Sequence, residues 1–319
     1  MKSVFIIALL IVAVSAEKSF ITFKSKACAT LAQSYQVEVF GTETKFLENI
    51  GVMIVEMDSY NLFNTLLSKH EVHECIQDIS KDEIVTLDYK FEEPNADREQ
   101  WQLKRVNVEK VPLPETYSRH EVKDVPSHVY IIDSGIDKAH PDLAPRLAPA
   151  DQHKAFTTDS CVCNADGPLC DCGGHGTHCA GLVASPQAGY NINTTLHSAK
   201  VFNASGSASY ATILNAMNWV IEAHKSHLDE VTVVSMSLGG GKNTALNAAV
   251  TAIKNAGMFI TVAAGNSNKD SCTGSPSSSP DAYTVGASEW DDSRAYFSEF
   301  GYFIIIKHVA LVLISLHQE

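Results

Sequence analysis

The second half of the chain repeats one pattern, in which a run of β-branched and other apolar residues is followed by a glycine turn or a segment with helical spacing. The apolar runs include HVYIID, HSAKVF, VTVVSM and MFITVA, and the helical segments include TILNAMNWVIEAHKSH and ALNAAVTAIKNAG. Continuous apolar strands are typical of strands that are covered by helices on both faces. The pattern therefore predicts an α/β fold built on a doubly wound parallel sheet, whose ligands gather at the carboxyl ends of the strands.

A different pattern occupies residues 17–90. Short apolar stretches such as SFITFK, GVMIVEM and DEIVTL alternate with the helix-like segments ACATLAQSYQ and SYNLFNTLLSKH, which predicts a small α+β domain. The polar stretch FEEPNADREQ follows, and its composition indicates a linker. We therefore place a domain boundary near residues 90–100 and a second domain over residues 91–301.

The first sixteen residues, MKSVFIIALLIVAVSA, contain an early Lys, an apolar run and small residues at their end. This pattern predicts a secretory signal peptide over residues 1–16. The apolar run is far shorter than the roughly 20 residues of a membrane anchor. We expect a secreted protein, or one delivered to a lysosome-like vesicle. The sequons at Asn193 and Asn203 fit that route.

The formal net charge is -13, with 37 acidic and 24 basic residues. Nucleic-acid backbones are bound by clustered Lys and Arg, so this composition argues against a nucleic-acid partner. We expect no membrane partner and a monomeric chain.

Three predicted strand ends carry polar residues of catalytic type. Asp133 ends VYIID, His175 lies in GGHGTHCAG, and Asn266 ends ITVAAGN. An Asp after an apolar strand is commonly a turn or cap residue, and this interpretation applies to Asp133 taken alone. The three residues together favour a catalytic site.

In this order, VYIIDSGIDKAHPDL, HGTHCAG, VVSMSLGGG and AAGN resemble the motifs of the subtilisin-like serine proteases, most closely the proteinase K branch. The resemblance extends from about Trp101 to Gly301. It implies an endopeptidase that acts on peptide or protein substrates. The α+β domain over residues 17–90 is similar to the family's propeptide, which implies that it assists folding and inhibits the enzyme intramolecularly.

The resemblance also implies a role for each site residue. His175 would be the general base, Asp133 would orient its imidazole, and Asn266 would donate a hydrogen bond to the oxyanion. His178, one helical turn after His175, is interpreted as structural. In the motif VVSMSLGGG, the backbone of Ser237, Leu238 and Gly239 would bind an extended peptide as an added strand.

The family places its nucleophile in a Gly-Thr-Ser-Met-Ala motif downstream of FSEFG, and the 319 residues contain no such motif. Ser207 and Ser275 are the substitutes we considered, and neither is expected within reach of His175. Residues 302–319 match nothing that the family places there, and we interpret them as an unrelated apolar tail that is too short for a membrane span. A frameshift or a retained intron would produce such an end.

We therefore expect a secreted, propeptide-bearing serine endopeptidase by family, in a chain that lacks the nucleophile and is inactive. The alternative is a non-catalytic binding protein or pseudoenzyme, in which the N-terminal domain or the remaining cleft engages another protease or a peptide. Neither hypothesis requires a cofactor or a metal. The expectation of calcium binding rests on the resemblance alone, because the sequence contains no acidic cluster with convincing ligand spacing.

Four of the eight cysteines lie close together in the stretch CVCNADGPLCDC. They could bind zinc or form two disulfides, and the C-x-C spacing in a secreted chain favours disulfides. The resemblance implies that Cys179 is a lone buried thiol, and that Cys272 pairs with a cysteine just past FSEFG in related proteases. By position, the cysteines are Cys28 and Cys75 in the first domain, then Cys161, Cys163, Cys170, Cys172, Cys179 and Cys272.

Overall fold

The computed structural model describes residues 17–35, 44–57, 61–62, 65, 69–87, 101–105, 108, 112, 126–157, 167–302 and 304–306. The predicted signal peptide, the predicted linker and most of the helix-like segment SYNLFNTLLSKH lie outside these residues. Cys161 and Cys163 also lie outside them.

Residues 17–87, called the N-terminal unit from here on, form an antiparallel sheet with the strand order β2-β3-β1-β4 and a separate fifth strand. The disulfide between Cys28 and Cys75 joins the helix Lys26–Ser34 to the helix His70–Cys75. The α+β arrangement predicted for this region is present, while its role as a propeptide stays a prediction. The elements are β1 (Lys18–Phe23), α1 (Lys26–Ser34), β2 (Thr44–Leu47), β3 (Val52–Glu56), α2 (His70–Cys75), β4 (Ile76–Lys81) and β5 (Ile84–Thr86).

The rest of the described chain is organised around a parallel sheet with the strand order β15-β14-β12-β10-β6-β8-β7. The predicted α/β fold with a parallel sheet is therefore confirmed. Its elements are α3 (Trp101–Arg105), β6 (Ser127–Asp133), β7 (Lys154–Ala155), α4 (His175–Ala184), β8 (Thr194–Lys200), β9 (Ser207–Ser209), α5 (Tyr210–His224), β10 (Val231–Met236), β11 (Gly240–Gly241), α6 (Thr244–Asn255), β12 (Phe259–Ala263), β13 (Gly274–Ser275), β14 (Tyr283–Val285) and β15 (Ile304–Ile306).

The central strand β6 is apolar along most of its length because helices cover both of its faces. Val129 and Ile131 pack in a cluster with α4, whereas Tyr130 and Ile132 pack in the larger core formed with α5 and α6. The chain runs from β6 to β8 on one side and then to β10 on the other, so the direction of strand succession reverses at β6. Ligands bind at such a switch point, outside the carboxyl ends of the strands, and β6 ends there with Asp133.

The sheet of the N-terminal unit is also buried on both faces. Ile21 and Met53 pack with the unit's own helices, in one cluster. Phe20, Val52 and Ile54 point to the opposite face and belong to the large core that includes α5 and α6. Successive side chains of a strand point to opposite faces, so β1 contributes to two different cores.

Strand β15 lies in the segment interpreted above as an unrelated tail. Ile304 pairs with Thr284 of β14 in parallel, at the edge of the sheet. A run of β-branched residues is well suited to such a position. Residues 304–306 of the tail therefore extend the sheet, and the sequence pattern did not reveal this.

Candidate active site

Asp133 and His175 form a buried pair at the carboxyl end of the central strand. The Nδ1 atom of His175 lies 2.7 Å from Oδ1 of Asp133, and the two residues are 7% and 1% exposed. The same carboxylate oxygen accepts a hydrogen bond from the backbone N–H of Ser134 at 2.7 Å. This arrangement fixes the imidazole with Nδ1 toward the carboxylate, so that Nε2 is the nitrogen available to a substrate.

The pair also sets the basicity of the imidazole. Burial by itself would lower the pKa of His175, but the negative charge of Asp133 and its hydrogen bond outweigh burial and raise that pKa. His175 is therefore a stronger base than an isolated histidine. The carboxylate thus stabilises the imidazolium, which is the form that a general base adopts when it takes up a proton.

Two glycines allow the approach of α4 to β6. Gly174 caps the helix with φ +78, a left-handed conformation. A Cβ atom on Gly176 would lie 2.2 Å from the carbonyl oxygen of Gly135. The helix therefore begins in direct backbone contact with the turn after Asp133, and this contact places His175 beside it.

Ser237 lies at the end of the neighbouring strand, next to the pair. Its side chain hydrogen-bonds to the thiol of Cys179, and this thiol is 4.0 Å from Nδ1 of His175. Leu238 is buried and Gly239 is exposed. The first of the three predicted substrate-binding residues therefore contacts Cys179, which lies beside His175.

Asn266 lies at the same edge of the sheet, three residues past β12. Strand β10 separates β12 from β6, which corresponds to about 10 Å between the outer two strands. The register pairs Ile131 with Ser235 and Ser235 with Thr261, so these strands end at the same level. The catalytic and substrate-binding roles of all these residues stay predictions.

The two serines considered as substitutes for the nucleophile have other partners. Ser275 is fully buried, accepts a hydrogen bond from the N–H of Asn243 at 2.9 Å and donates one to its carbonyl at 3.1 Å. Ser207 belongs to β9 and pairs with Thr86 of the N-terminal unit. Both hydroxyl groups are thus placed in structural elements.

A sequence profile of the Subtilase family matches residues 127–309. The chain belongs to the subtilase family. The family predicted from the motifs is thus confirmed, and the match runs beyond Gly301 into the segment that contains β15.

Curated relatives of this subtilase include a cuticle-degrading protease of Metarhizium anisopliae, 35% identical over 76% of this chain and 60% of the relative. An extracellular serine proteinase of Thermus sp. (strain Rt41A) is 36% identical over 63% of this chain and 46% of the relative. The chain therefore spans about half the length of these relatives. A solved cold-adapted subtilisin-like serine proteinase matches with a TM-score of 0.55 and 31% identity, covering 64% of this chain and 70% of that one.

The N-terminal unit adds a strand to the subtilase domain. Strand β5 runs antiparallel to β9, and the N–H of Leu87 donates to the carbonyl of Gly206 at 2.9 Å. A Cβ atom on Gly240 would lie 3.2 Å from Cγ2 of Val85. Strand β5 thus lies beside Gly240. Gly240 is three residues after Ser237, which is about 10 Å along the chain.

One side chain that contacts both Ser134 and the start of α4 was missed in the sequence. Asp171 accepts hydrogen bonds from the start of α4 and from Ser134, next to Asp133. An acidic residue just before a predicted helix is a capping signal, and Asp171 stands four residues before His175. The Gly-Gly turn between them obscured this signal, because an N-cap residue normally adjoins the helix.

Cys170 and Cys172, on either side of Asp171, are both disulfide-bonded, which agrees with the preference for disulfides over zinc. Cys179 and Cys272 are free thiols. Burial raises the pKa of Cys179, and the nearby charge of Asp133 acts in the same direction. A high pKa disfavours the thiolate, so Cys179 is unsuited to be a nucleophile.

Within the described residues, two groups of side chains are close enough to be considered as metal ligands. They are Asp133, His175 and Cys179, and His128, His197 and His227. In the second group, Nδ1 of His128 lies 2.8 Å from Nε2 of His197. Two nitrogens bound to a tetrahedral zinc ion at about 2.0–2.1 Å would stand about 3.3 Å apart, whereas the observed separation is that of a hydrogen bond. The rings of His128 and His227 are stacked, with centroids 4.1 Å apart.

No helix in the described part of the chain has the length and apolarity needed to cross a membrane.

Proposed function

We propose that this subtilase is a secreted serine endopeptidase by lineage, that its site uses Asp133, His175 and Asn266, and that the 319-residue chain does not itself hydrolyse peptides. The observation that carries the proposal is the buried hydrogen bond of 2.7 Å between His175 and Asp133 at the carboxyl end of β6. Peptides or proteins are the expected substrates, in line with the relatives that are named as proteases.

Each group has a physical task in peptide hydrolysis. His175 takes the proton of an attacking hydroxyl, and Asp133 stabilises the imidazolium that forms. The amide of Asn266 donates to the oxyanion, and the loss of such a donor in subtilisin lowers kcat by about 10²–10³. The Gly-Thr-Ser-Met-Ala motif that would supply the hydroxyl does not occur among the 319 residues. Proton transfer and oxyanion stabilisation without a nucleophile do not cleave a peptide bond.

The N-terminal unit has the contacts expected of an intramolecular inhibitor. Asp82 accepts a hydrogen bond from the N–H of Ala211 in the first turn of α5 at 3.0 Å, and the carbonyl of Glu83 accepts one from Tyr210. Strand β5 then occupies the edge of β9. Because this surface is occupied by the chain itself, inhibition in cis is favoured over engagement of another protease.

Labelling with a fluorophosphonate probe tests the proposed function. We expect no labelling of the purified chain, under conditions in which a complete subtilase is labelled. The matched control is the His175→Ala variant, which should give the same background as the wild type. Labelling that disappears on heating and in His175→Ala would show that another hydroxyl serves as the nucleophile, and would refute the claim of inactivity.

Intact mass tests the fate of the N-terminal unit in the same preparation. An inactive chain cannot cut itself, so the secreted protein should begin at about Glu17. A fragment that begins near residue 91, produced in a host without other proteases, would contradict the proposal.

A further inference from the structure

The carboxylate of Asp171 forms hydrogen bonds both to the turn after Asp133 and to the start of α4, where His175 lies. Its Oδ2 atom accepts from the backbone N–H and the hydroxyl of Thr177, at 2.8 and 2.7 Å. Its Oδ1 atom accepts from the N–H of Gly174 at 2.9 Å and from the hydroxyl of Ser134 at 2.8 Å. Asp171 therefore contacts the residue before His175, the residue two positions after it and the residue after Asp133.

Ser134 extends this connection to both members of the pair. Its hydroxyl oxygen accepts a hydrogen bond from the N–H of Gly176 at 2.9 Å, while its own N–H donates to Oδ1 of Asp133 at 2.7 Å. Because this hydroxyl donates its proton to Asp171, its lone pairs are available to Gly176. The donor and the acceptor are thus determined for each hydrogen bond that Ser134 forms with Asp133, Asp171 and Gly176.

The backbone around Asp171 has little freedom to move. A Cβ atom on Gly135 would lie 2.2 Å from the carbonyl oxygen of Cys170, so the loop touches the turn after Asp133 directly. Cys170 and Cys172 are held by disulfides on either side of Asp171. The N–H of Asp137 also donates to the hydroxyl of Thr177 at 2.9 Å, which ties this turn to α4.

We propose that Asp171 is a positioning residue, which holds His175 in register with Asp133 from a loop fixed by disulfides. This inference deepens the proposed function, because it concerns the same site, and it rests on that function for its relevance to catalysis. Asp171 does not touch the reacting atoms. It acts by fixing the start of α4 and the turn that follows β6.

The hydrogen bond between His175 and Asp133 can be observed without any catalytic activity. In the proton NMR spectrum of the full chain, we expect the Nδ1 proton of His175 to resonate far downfield of the amide region. Its absence in His175→Ala assigns it. In Asp171→Ala, we expect this resonance to be lost through exchange with water, because the pair is no longer held in register.

Two further variants separate positioning from a general loss of structure. Asp229→Asn, at an exposed site in the α5–β10 connection, should keep the resonance unchanged. Ser134→Ala removes the hydroxyl between Asp171 and Gly176, and should shift or broaden the resonance even if Asp171→Ala fails to fold. Circular dichroism establishes which variants are folded.

The inference is overturned if the wild-type chain lacks the resonance, or if a folded Asp171→Ala or Ser134→Ala variant retains it unchanged. Fluorophosphonate labelling reports on the nucleophile and not on this hydrogen bond. A failure of the proposed function and a failure of the positioning role therefore give different results.

Discussion

His197 should make the stability of this protein strongly dependent on pH. It is fully buried in β8, where its Nδ1–H donates to the carbonyl of Gln152 at 3.3 Å and its Nε2 faces Nδ1 of His128 at 2.8 Å. Burial lowers the pKa of His197 from 6.5 to about 3, and nearby histidines act in the same direction. The folded protein thus holds this imidazole neutral in mildly acidic solution, while the unfolded chain protonates it.

The sign and size of the effect follow from this difference in proton binding. Between pH 6.5 and about 3 the unfolded state binds the extra proton, so stability is complete above this window and is lost as the pH falls through it. Each pH unit in the window costs about 1.4 kcal/mol. Lowering the pH from 7 to 5 should therefore cost about 2 kcal/mol through His197 alone.

A variant that cannot titrate isolates this contribution. We expect His197→Gln to retain a side chain that can donate and accept hydrogen bonds, while removing the proton uptake. The free energy of unfolding of both proteins would be measured by urea denaturation at pH 7, 6 and 5, followed by tryptophan fluorescence. The surrounding titratable groups are common to both proteins and largely cancel: His128, Tyr130, Asp151, His153, His224, His227 and Glu230.

We expect the difference in unfolding free energy, wild type minus His197→Gln, to fall by about 2 kcal/mol between pH 7 and pH 5. The comparison is needed because the pKa values of Asp82 and Glu299 are raised, mainly by burial, and these carboxyl groups oppose the effect in the wild type. Parallel pH profiles of the two proteins would refute the reasoning, since they would mean that His197 is protonated to the same extent in both states.

Two further predictions concern the backbone and the disulfides. Gly135→Ala should destabilise the protein by several kcal/mol, because the φ of Gly135 is +113 and the new Cβ would lie 2.2 Å from the carbonyl oxygen of Cys170. Thermal unfolding measures this loss, and a Tm equal to that of the wild type would contradict the close contact. Replacing Cys28 and Cys75 by Ser opens a loop with a sequence separation of 47 residues, which should lower the free energy of unfolding by about 4 kcal/mol. If the variant and the oxidised wild type have the same denaturation midpoint, the N-terminal unit unfolds independently of this bond.

The strands of the parallel sheet and the helices that cover it were predictable, because each corresponds to a long sequence segment with a regular apolar pattern. The run HVYIID corresponds to β6, and TILNAMNWVIEAHKSH contains most of α5. The position of Asp133 and His175 at one site was predicted from the resemblance of VYIIDSGIDKAHPDL and HGTHCAG to the motifs of the subtilisin-like proteases. In these segments local pattern and tertiary packing favour the same structure.

The features that were missed depend on contacts between distant segments. Strand β4 has the mixed sequence IQDISK, and it becomes a strand by pairing with β1. Asp171 belongs to no periodic segment, and its importance comes from Ser134, which lies 37 residues earlier. Strand β15 required knowledge that the edge of β14 was open. Sequence patterns record local preferences, whereas these three features arise from tertiary structure.

The double burial of the N-terminal sheet has an evolutionary consequence. Phe20, Val52 and Ile54 pack against the subtilase domain, while Ile21 and Met53 pack against the unit's own helices. A substitution in the first group changes the fit between two domains, and one in the second group changes only the unit itself. Among homologues, the first group should covary with residues of α5 and α6, and exchanging N-terminal units between distant relatives should fail chiefly at that face.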